Sequence, residues 1–282
     1  MSKHRIIIEP GTENSNYWKD LWNYRGLFYF LAWRDILVRY KQTVIGILWS
    51  ILRPLITIVV FTVVFNKLGN FESGDVREGS YAIMVCAAML PWQFFASAFS
   101  ESANSLIANS NLLTKVYFPR LIVPASTVIV CLIDFLISFL ILIGLFIWYK
   151  FVPDIRLFML PLFLLLALVT AMGTGLFIAA LNVKYRDFRI IIPFIVQIGL
   201  YVSPVGYSSN EIYSRDIPQI LKYLYAMNPM VGVIDGFRWC VMGGNTPLHI
   251  PEFIASIGIS LLFLFIGVWY FRKMEKTFAD VI

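Results

Sequence analysis

The chain has 282 residues, 59% of them hydrophobic and 14% charged, against about 25% charged in an average soluble domain. That composition, with 16% aromatics, excludes both a soluble globular domain and a disordered segment. The net charge of +6 does not point to nucleic acid, because the basic residues sit between apolar blocks, where they orient a membrane protein.

In chain order, residues 1–23 form a polar extension with three consecutive aliphatic residues, too few for a signal-peptide core, so it is expected to belong to the mature protein. Residues 24–45 are rich in aromatics but broken by Arg34, Asp35, Arg39 and Lys41. A spanning helix would bury those charges in lipid, so the segment reads as an amphipathic helix on the membrane surface; a seventh span is the alternative.

Six apolar segments are long enough to cross a bilayer core of about 30 Å. They are Ile47–Phe65, Tyr81–Ser100, Val123–Tyr149, Leu157–Val183, Ile190–Tyr207 and Phe253–Phe271. The fifth is the weakest, since Pro193 and Pro204 interrupt it. On one side of these spans lie Lys3, Arg5, Lys19, Arg25, Arg34, Arg39, Lys41, Lys115, Arg120, Lys184, Arg186, Arg189, Arg272, Lys273 and Lys276. On the other lie Lys67, Arg77, Lys150, Arg156, Arg215, Lys222 and Arg238, with Arg53 inside the first span. The imbalance predicts both termini in the cytoplasm.

Between the second and third spans, Asn109 or Ser110 reads as the cap of a short helix through Leu112, Leu113 and Val116 that Pro119 ends. Such a helix can dock on a partner; a solvated connector is the plainer reading, and the apolar run Val116–Phe118 weakens it. In the fourth span Ala167, Ala171, Gly175 and Ala179 recur at spacing four, a ladder for close helix packing. After the fifth span, Ile217–Met227 and Met230–Met242 read as two short helices ending at Gly243. They either dip back into the outer leaflet or form a cap outside it.

No catalytic constellation is present. His4 and His249 read as solvated loop residues, and the three cysteines have no metal or disulfide spacing. No phosphate-binding G-x-x-x-x-G-K-[ST] loop occurs, so energy for uphill transport must come from another chain or from an ion gradient. Asp134 is the carboxylate deepest in a span; it reads either as partner to one buried donor or as a proton relay. Glu101 and Arg53 are the other ionisable candidates. A lipid-modifying enzyme would show paired carboxylates or a His–Asp set at the membrane surface, and neither is found. Aromatics at the span ends, Trp49, Trp92, Trp148, Tyr149, Trp269 and Tyr270, read as interface anchors. Phe194, Tyr201, Tyr207, Tyr223 and Tyr225 are candidates for stacking on sugar rings.

Five stretches carry a resemblance to a known family: RDILVRYKQTVIGILWSILRPL (Arg34–Leu55), NLLTKVYFPRLIVP (Asn111–Pro124), LNVKYRDFRIIIPFIVQIGLYVSPVGY (Leu181–Tyr207), YAMNPMVGVIDGFRW (Tyr225–Trp239) and YFRKMEKTFADVI (Tyr270–Ile282). In this combination and order the chain resembles the membrane subunit of ABC-2-type exporters, in the branch that exports O-antigen, capsular polysaccharide and teichoic acid. The extension before Tyr24 departs from that pattern.

The resemblance implies an all-α integral membrane protein with six transmembrane helices, an N-terminal amphipathic interface helix over residues 24–45 and short re-entrant outer gate helices within 208–250. The transmembrane domain would cover 46–272, with a coupling loop over 104–122 and a cytoplasmic tail over 273–282. It implies a homodimer in the bacterial inner membrane, joined to two copies of a cytoplasmic ATPase that binds ATP and magnesium, with no cofactor in this chain and no nucleic-acid partner. Asn111, Leu112, Leu113, Thr114, Lys115, Tyr117, Arg34 and Arg39 would couple to the ATPase. Trp49, Phe194, Tyr201, Tyr207, Tyr223 and Tyr225 would line the channel or gate. The cargo would be a lipid-linked glycan, with a drug or small lipid as the alternative within the same class and an ion-coupled carrier as the alternative outside it.

Overall fold

A computed structural model describes residues 17–41, 44–64, 79–185, 187–214, 216, 218–243 and 248–278; of residues 44–50 and 53 it describes the backbone. The sequence expectations for 1–16, the loop 65–78, residues 244–247 and the end of the tail lie outside these residues, as do those for the side chains of Trp49 and Arg53. All regular elements among the described residues are helical.

The chain opens with α1 (Tyr17–Asn23) and α2 (Arg25–Tyr40), followed by α3 (Val44–Phe61). Next come the long helix α4 (Ser80–Ala108), the single turn α5 (Ser110–Leu113) and α6 (Ile122–Trp148). A 3-10 turn over Ile155–Met159 leads into α7 (Leu160–Lys184), and α8 (Phe188–Val202) follows. Three short helices, α9 (Ser209–Ser214), α10 (Gln219–Ala226) and α11 (Pro229–Val241), precede α12 (Ile250–Glu275).

Among the described residues, four helical segments are long and apolar enough to cross a membrane: α4, α6, Ile155–Lys184 and α12. The expected first and fifth spans are shorter. The helix α3 has 18 residues, and α8 has 15, about 22 Å at a rise of roughly 1.5 Å per residue. The fifth stops at Val202 rather than Tyr207. Pro204 disfavours helical backbone in the residue before it, and Ser203 is accordingly extended at φ −87°, ψ 149°. Pro193, by contrast, is accommodated inside α8.

The core forms around α4, which packs against α3, α6, α7, α8 and α11. It is the least apolar of the four long segments and the most buried. In lipid there is no hydrophobic drive between helices, so close approach of small residues holds the bundle. Ala87, Ala88, Ala98, Ser102 and Ala103 serve that purpose on α4. The ladder Ala167, Ala171, Gly175 and Ala179 on α7 is buried throughout, and a Cβ on Gly175 would meet Ser102 Cβ at 2.9 Å. The α7–α12 crossing is tighter still. Gly173 and Gly267 face each other backbone to backbone, and a Cβ on either would strike the other helix. Beside it, the Thr170 and Ser260 hydroxyls share a hydrogen bond of 2.7 Å.

Helix ends follow local chemistry. At the end of α6, Lys150 takes a left-handed conformation, φ +50°, and the Phe151 N–H returns to the Phe146 carbonyl at 2.8 Å while their rings stack at 5.6 Å. Asn228 caps α11 by accepting from the Met230 N–H at 3.0 Å. The helix α11 is buried on every face among α4, α7, α12 and the 3-10 turn, so it is threaded into the bundle rather than laid over it as a cap.

Candidate functional site

Two ends of the bundle carry polar structure. At the first, α1, α2, α5, the ends of α7 and α12, and the segment after α5 share one apolar cluster built on Tyr17, Leu31, Leu106, Leu113, Phe118, Val183, Phe271 and Phe278. The helix in the expected coupling loop is one turn long and stops at Leu113, short of Val116. Asn109 does not cap it through its side chain. Its amide donates back to the Ser105 carbonyl at 2.9 Å, and its oxygen accepts from Arg34 Nη2 at 2.8 Å.

The expected coupling residues therefore divide. Asn111, Thr114, Lys115 and Tyr117 are exposed, with Val116 beside them; Leu112 is half-buried and Leu113 is fully inside the cluster. A second set of contacts fixes the loop from behind. The Arg120 N–H donates to Glu275 Oε1 at 2.7 Å, and its guanidinium donates to the Glu275 carbonyl and lies over the Phe278 ring. On α1, Tyr17 is buried with Arg272 over its ring at 4.6 Å; burial, then the nearby Glu275 carboxylate, pushes its phenol well above the ordinary range, so it stays protonated. The N-terminal extension thus has an anchored helix that sequence alone did not reveal.

Arg34 and Arg39, expected to meet the ATPase, each form ion pairs within the subunit while their side chains stay 38% exposed. Arg39 Nη2 lies 2.7 Å from Asp134 Oδ2 on α6, and its Nη1 is 3.7 Å from Glu101 Oε1 on α4. The Tyr40 hydroxyl also donates to Asp134. Of the two readings of Asp134, partner or relay, the geometry supplies the partner. Arg34 pairs with Asp35 at 2.7 Å as well as with Asn109. Arg34, Asp35, Glu101, Asn104, Ser105, Ala108, Asn109 and Thr127 line a polar cavity of about 210 Å³ between α2, α4 and α6.

Along the bundle, α8 touches α4 by one narrow edge. Ile192 packs with Phe99 and Ala103, and Gly199 lets the Trp92 ring approach to 2.6 Å of where a Cβ would stand. The rest of α8 is an open apolar face that includes Ile191, Phe194, Ile195, Ile198, Tyr201 and Val202. On α3, Ile56, Val59 and Val60 are exposed too, as are Val63 and Val64 in the turn that follows it. Of the aromatic channel candidates, Phe194, Tyr201 and Tyr223 stand exposed on α8 and α10. Tyr207 is half-buried and donates to the Val202 carbonyl at 3.1 Å, and Tyr225 is buried with its hydroxyl 3.1 Å from Ser209 Oγ. The last two bond within the segment from α8 to α10 instead.

At this second end sits a group that sequence reasoning counted only as loop charge. Arg238 on α11 is 1% exposed, and its guanidinium donates to the Tyr207 carbonyl at 2.7 Å, the Val205 carbonyl at 3.0 Å and the Met84 carbonyl at 3.4 Å. The Tyr81 hydroxyl donates to the Gly206 carbonyl at 2.5 Å, and Asn228 donates to Ser203 Oγ at 3.0 Å. The turn after α8 is therefore pinned to α4, α11 and the α11 cap by four hydrogen bonds from three side chains, Arg238, Tyr81 and Asn228. Asp235, one turn before Arg238, accepts from Ser209 Oγ at 2.8 Å. An acid and a base three residues apart in an otherwise apolar helix were the available signal. Among the described residues no group of His, Cys, Asp and Glu is placed to hold a metal.

Comparison with known proteins places this architecture. The chain is similar to two O-antigen export system permease proteins RfbA of Klebsiella pneumoniae, 25% identical over 250 residues and 27% identical over 256, each alignment covering 88% of this chain and 92% of the relative. It is 25% identical over 266 residues to RfbA of Myxococcus xanthus, covering 94% and 98% of the two chains. It is 24% identical over 246 residues to the capsule polysaccharide export inner-membrane protein CtrC of Neisseria meningitidis serogroup A, covering 84% and 88%. Residues 26–242, which take in every element from α2 to α11, match the ABC-2 type transporter family, and the chain belongs to that family.

Proposed function

We propose that this chain is the channel-forming subunit of an ATP-driven exporter that moves a lipid-linked, O-antigen-like polysaccharide out of the cytoplasm across a bacterial inner membrane. Two copies would enclose the path with their α3 and α8 faces, and two copies of a separate ATPase would grip each subunit through α5 and the exposed residues that follow it. Both termini would lie in the cytoplasm, α3 and α8 would complete six spans, and α10 and α11 would form the outer gate.

The observation that carries the cargo is the run of relatives over almost their full length, which are named for O-antigen or capsule export. The wide, apolar, unpartnered face of α8 supports the dimeric path. Depletion tests the reading. Cells losing this chain should accumulate lipid-linked glycan inside and lose it from the surface, and the purified chain should hydrolyse ATP only together with its companion. Unchanged surface glycan in depleted cells would assign the chain to a different cargo, a drug or a small lipid.

A further inference from the structure

One guanidinium joins three helices. Arg39 belongs to α2, Asp134 to α6 and Glu101 to α4, and Arg39 reaches both carboxylates. Asp134 lies twelve residues past the start of α6, about 18 Å along a helix long and apolar enough to cross a hydrocarbon core of about 30 Å. Packing alone would hold α2 to α6 with apolar side chains and no desolvation cost. Charge pairing here, with the Arg39 side chain 38% and the Asp134 side chain 18% exposed, instead fixes one geometry and resists sliding.

The same helix has a second tie. Arg34 holds Asn109, the residue shared by the end of α4 and the start of α5. The two arginines therefore join α2 both to the root of the exposed loop and to α6 and α4. Between the two ties lies the polar cavity of about 210 Å³, room for this network to shift without overpacking.

Resting on the exporter reading above, we propose that Arg39 and Asp134, seconded by Glu101, are positioning residues for transport. They carry displacement of α2 and α5 into α6, so that motion imposed by an ATPase at the surface reaches the spanning helices. Neither residue touches cargo or nucleotide, and Asp134 is a mechanical partner rather than a proton carrier.

The test uses the full chain assembled with its ATPase, and three variants: Asp134→Asn, Arg39→Asp and the charge exchange Arg39→Asp/Asp134→Arg. Asp134→Asn keeps the side-chain volume, so it remains informative if a larger change fails to fold. Three quantities are read: surface glycan, ATP hydrolysis by the purified complex, and tryptic cleavage at exposed Lys41, which ends α2. The single variants should keep ATP hydrolysis within about twofold while export falls at least about tenfold, the range of a typical coupling free energy. Cleavage at Lys41 should quicken several-fold. The charge exchange should return export to at least about half of the original and slow the cleavage again.

Normal export by Asp134→Asn, or a Lys41 as protected as before, would overturn the proposal. So would loss of export in every variant with Lys41 protected throughout, since that pattern belongs to a proton relay. If the unaltered chain binds no ATPase and moves no glycan, the exporter reading fails, while the Lys41 series in the isolated chain still decides whether the ion pair holds α2.

Discussion

At the scale of single residues, burial divides side chains that look equivalent in the sequence. Leu113 and Tyr117 lie in one loop, but Leu113 is inside the apolar cluster and Tyr117 is 59% exposed. Leu113→Asp would bury an unpaired carboxylate and should destabilise the whole subunit by several kcal/mol, on the order of 3. Tyr117→Ala should leave the melting temperature unchanged and weaken association with the ATPase about tenfold, as loss of an exposed aromatic anchor does. Thermal melting and titration of the complex separate the two; a Tyr117→Ala subunit that binds as before would remove this loop from the interface. Arg238 is the counterpart at the far end. Arg238→Met leaves the buried Val205 and Tyr207 carbonyls without donors, and a loss of at least about 2 kcal/mol is expected in the unfolding of the detergent-purified chain.

At the scale of elements, the spacing of small residues decides which helices come together. The α7–α12 crossing rests on Gly173 and Gly267: a Cβ on Gly267 would strike the Gly173 backbone, and a Cβ on Gly173 would strike the backbone of Phe263 and Leu264. Gly267→Leu should force the pair apart, at about 1–3 kcal/mol for overpacking, and lower the melting temperature. Gly258, on the same helix with nothing within 4 Å of its Cβ position, should accept alanine without penalty and serves as the control. The helix α8 shows the reverse case. It is amphipathic in an unusual sense, with one thin edge on α4 and α7 and a broad apolar face left exposed among the described residues.

At the scale of the whole molecule, that open face is where a second copy should sit. Phe194→Cys places a thiol on it, and the native cysteines Cys86, Cys131 and Cys240 are all buried. A short bifunctional reagent applied to membranes should therefore join two Phe194→Cys subunits, detected as a doubled mass on a denaturing gel. Monomers alone, in membranes where export is intact, would show that α8 faces lipid. The two polar ends also differ in kind. The surface end is bound by ion pairs around a cavity, whereas the far end is locked by hydrogen bonds from Arg238, Tyr81 and Asn228 to a buried turn.

Much of this was legible in the residues before any coordinates. Block length and apolar content announce membrane helices because a bilayer sets a minimum span and tolerates few charges. The four-residue ladder on α7 announced packing, and Gly243 marked the end of α11. These are local rules that depend on a few neighbouring residues. The partners of Arg39 at Asp134 and Glu101, the inward turn of Leu113, the anchoring of Tyr17 on the last helix and the burial of Arg238 were not legible. Each joins residues far apart in the chain, and only the packed bundle brings a charge to its counterion or closes lipid and water off from a side chain. Composition and periodicity determined that this protein lives in a membrane as helices; tertiary packing alone decided which of its charges bind inward and which surfaces remain open for partners.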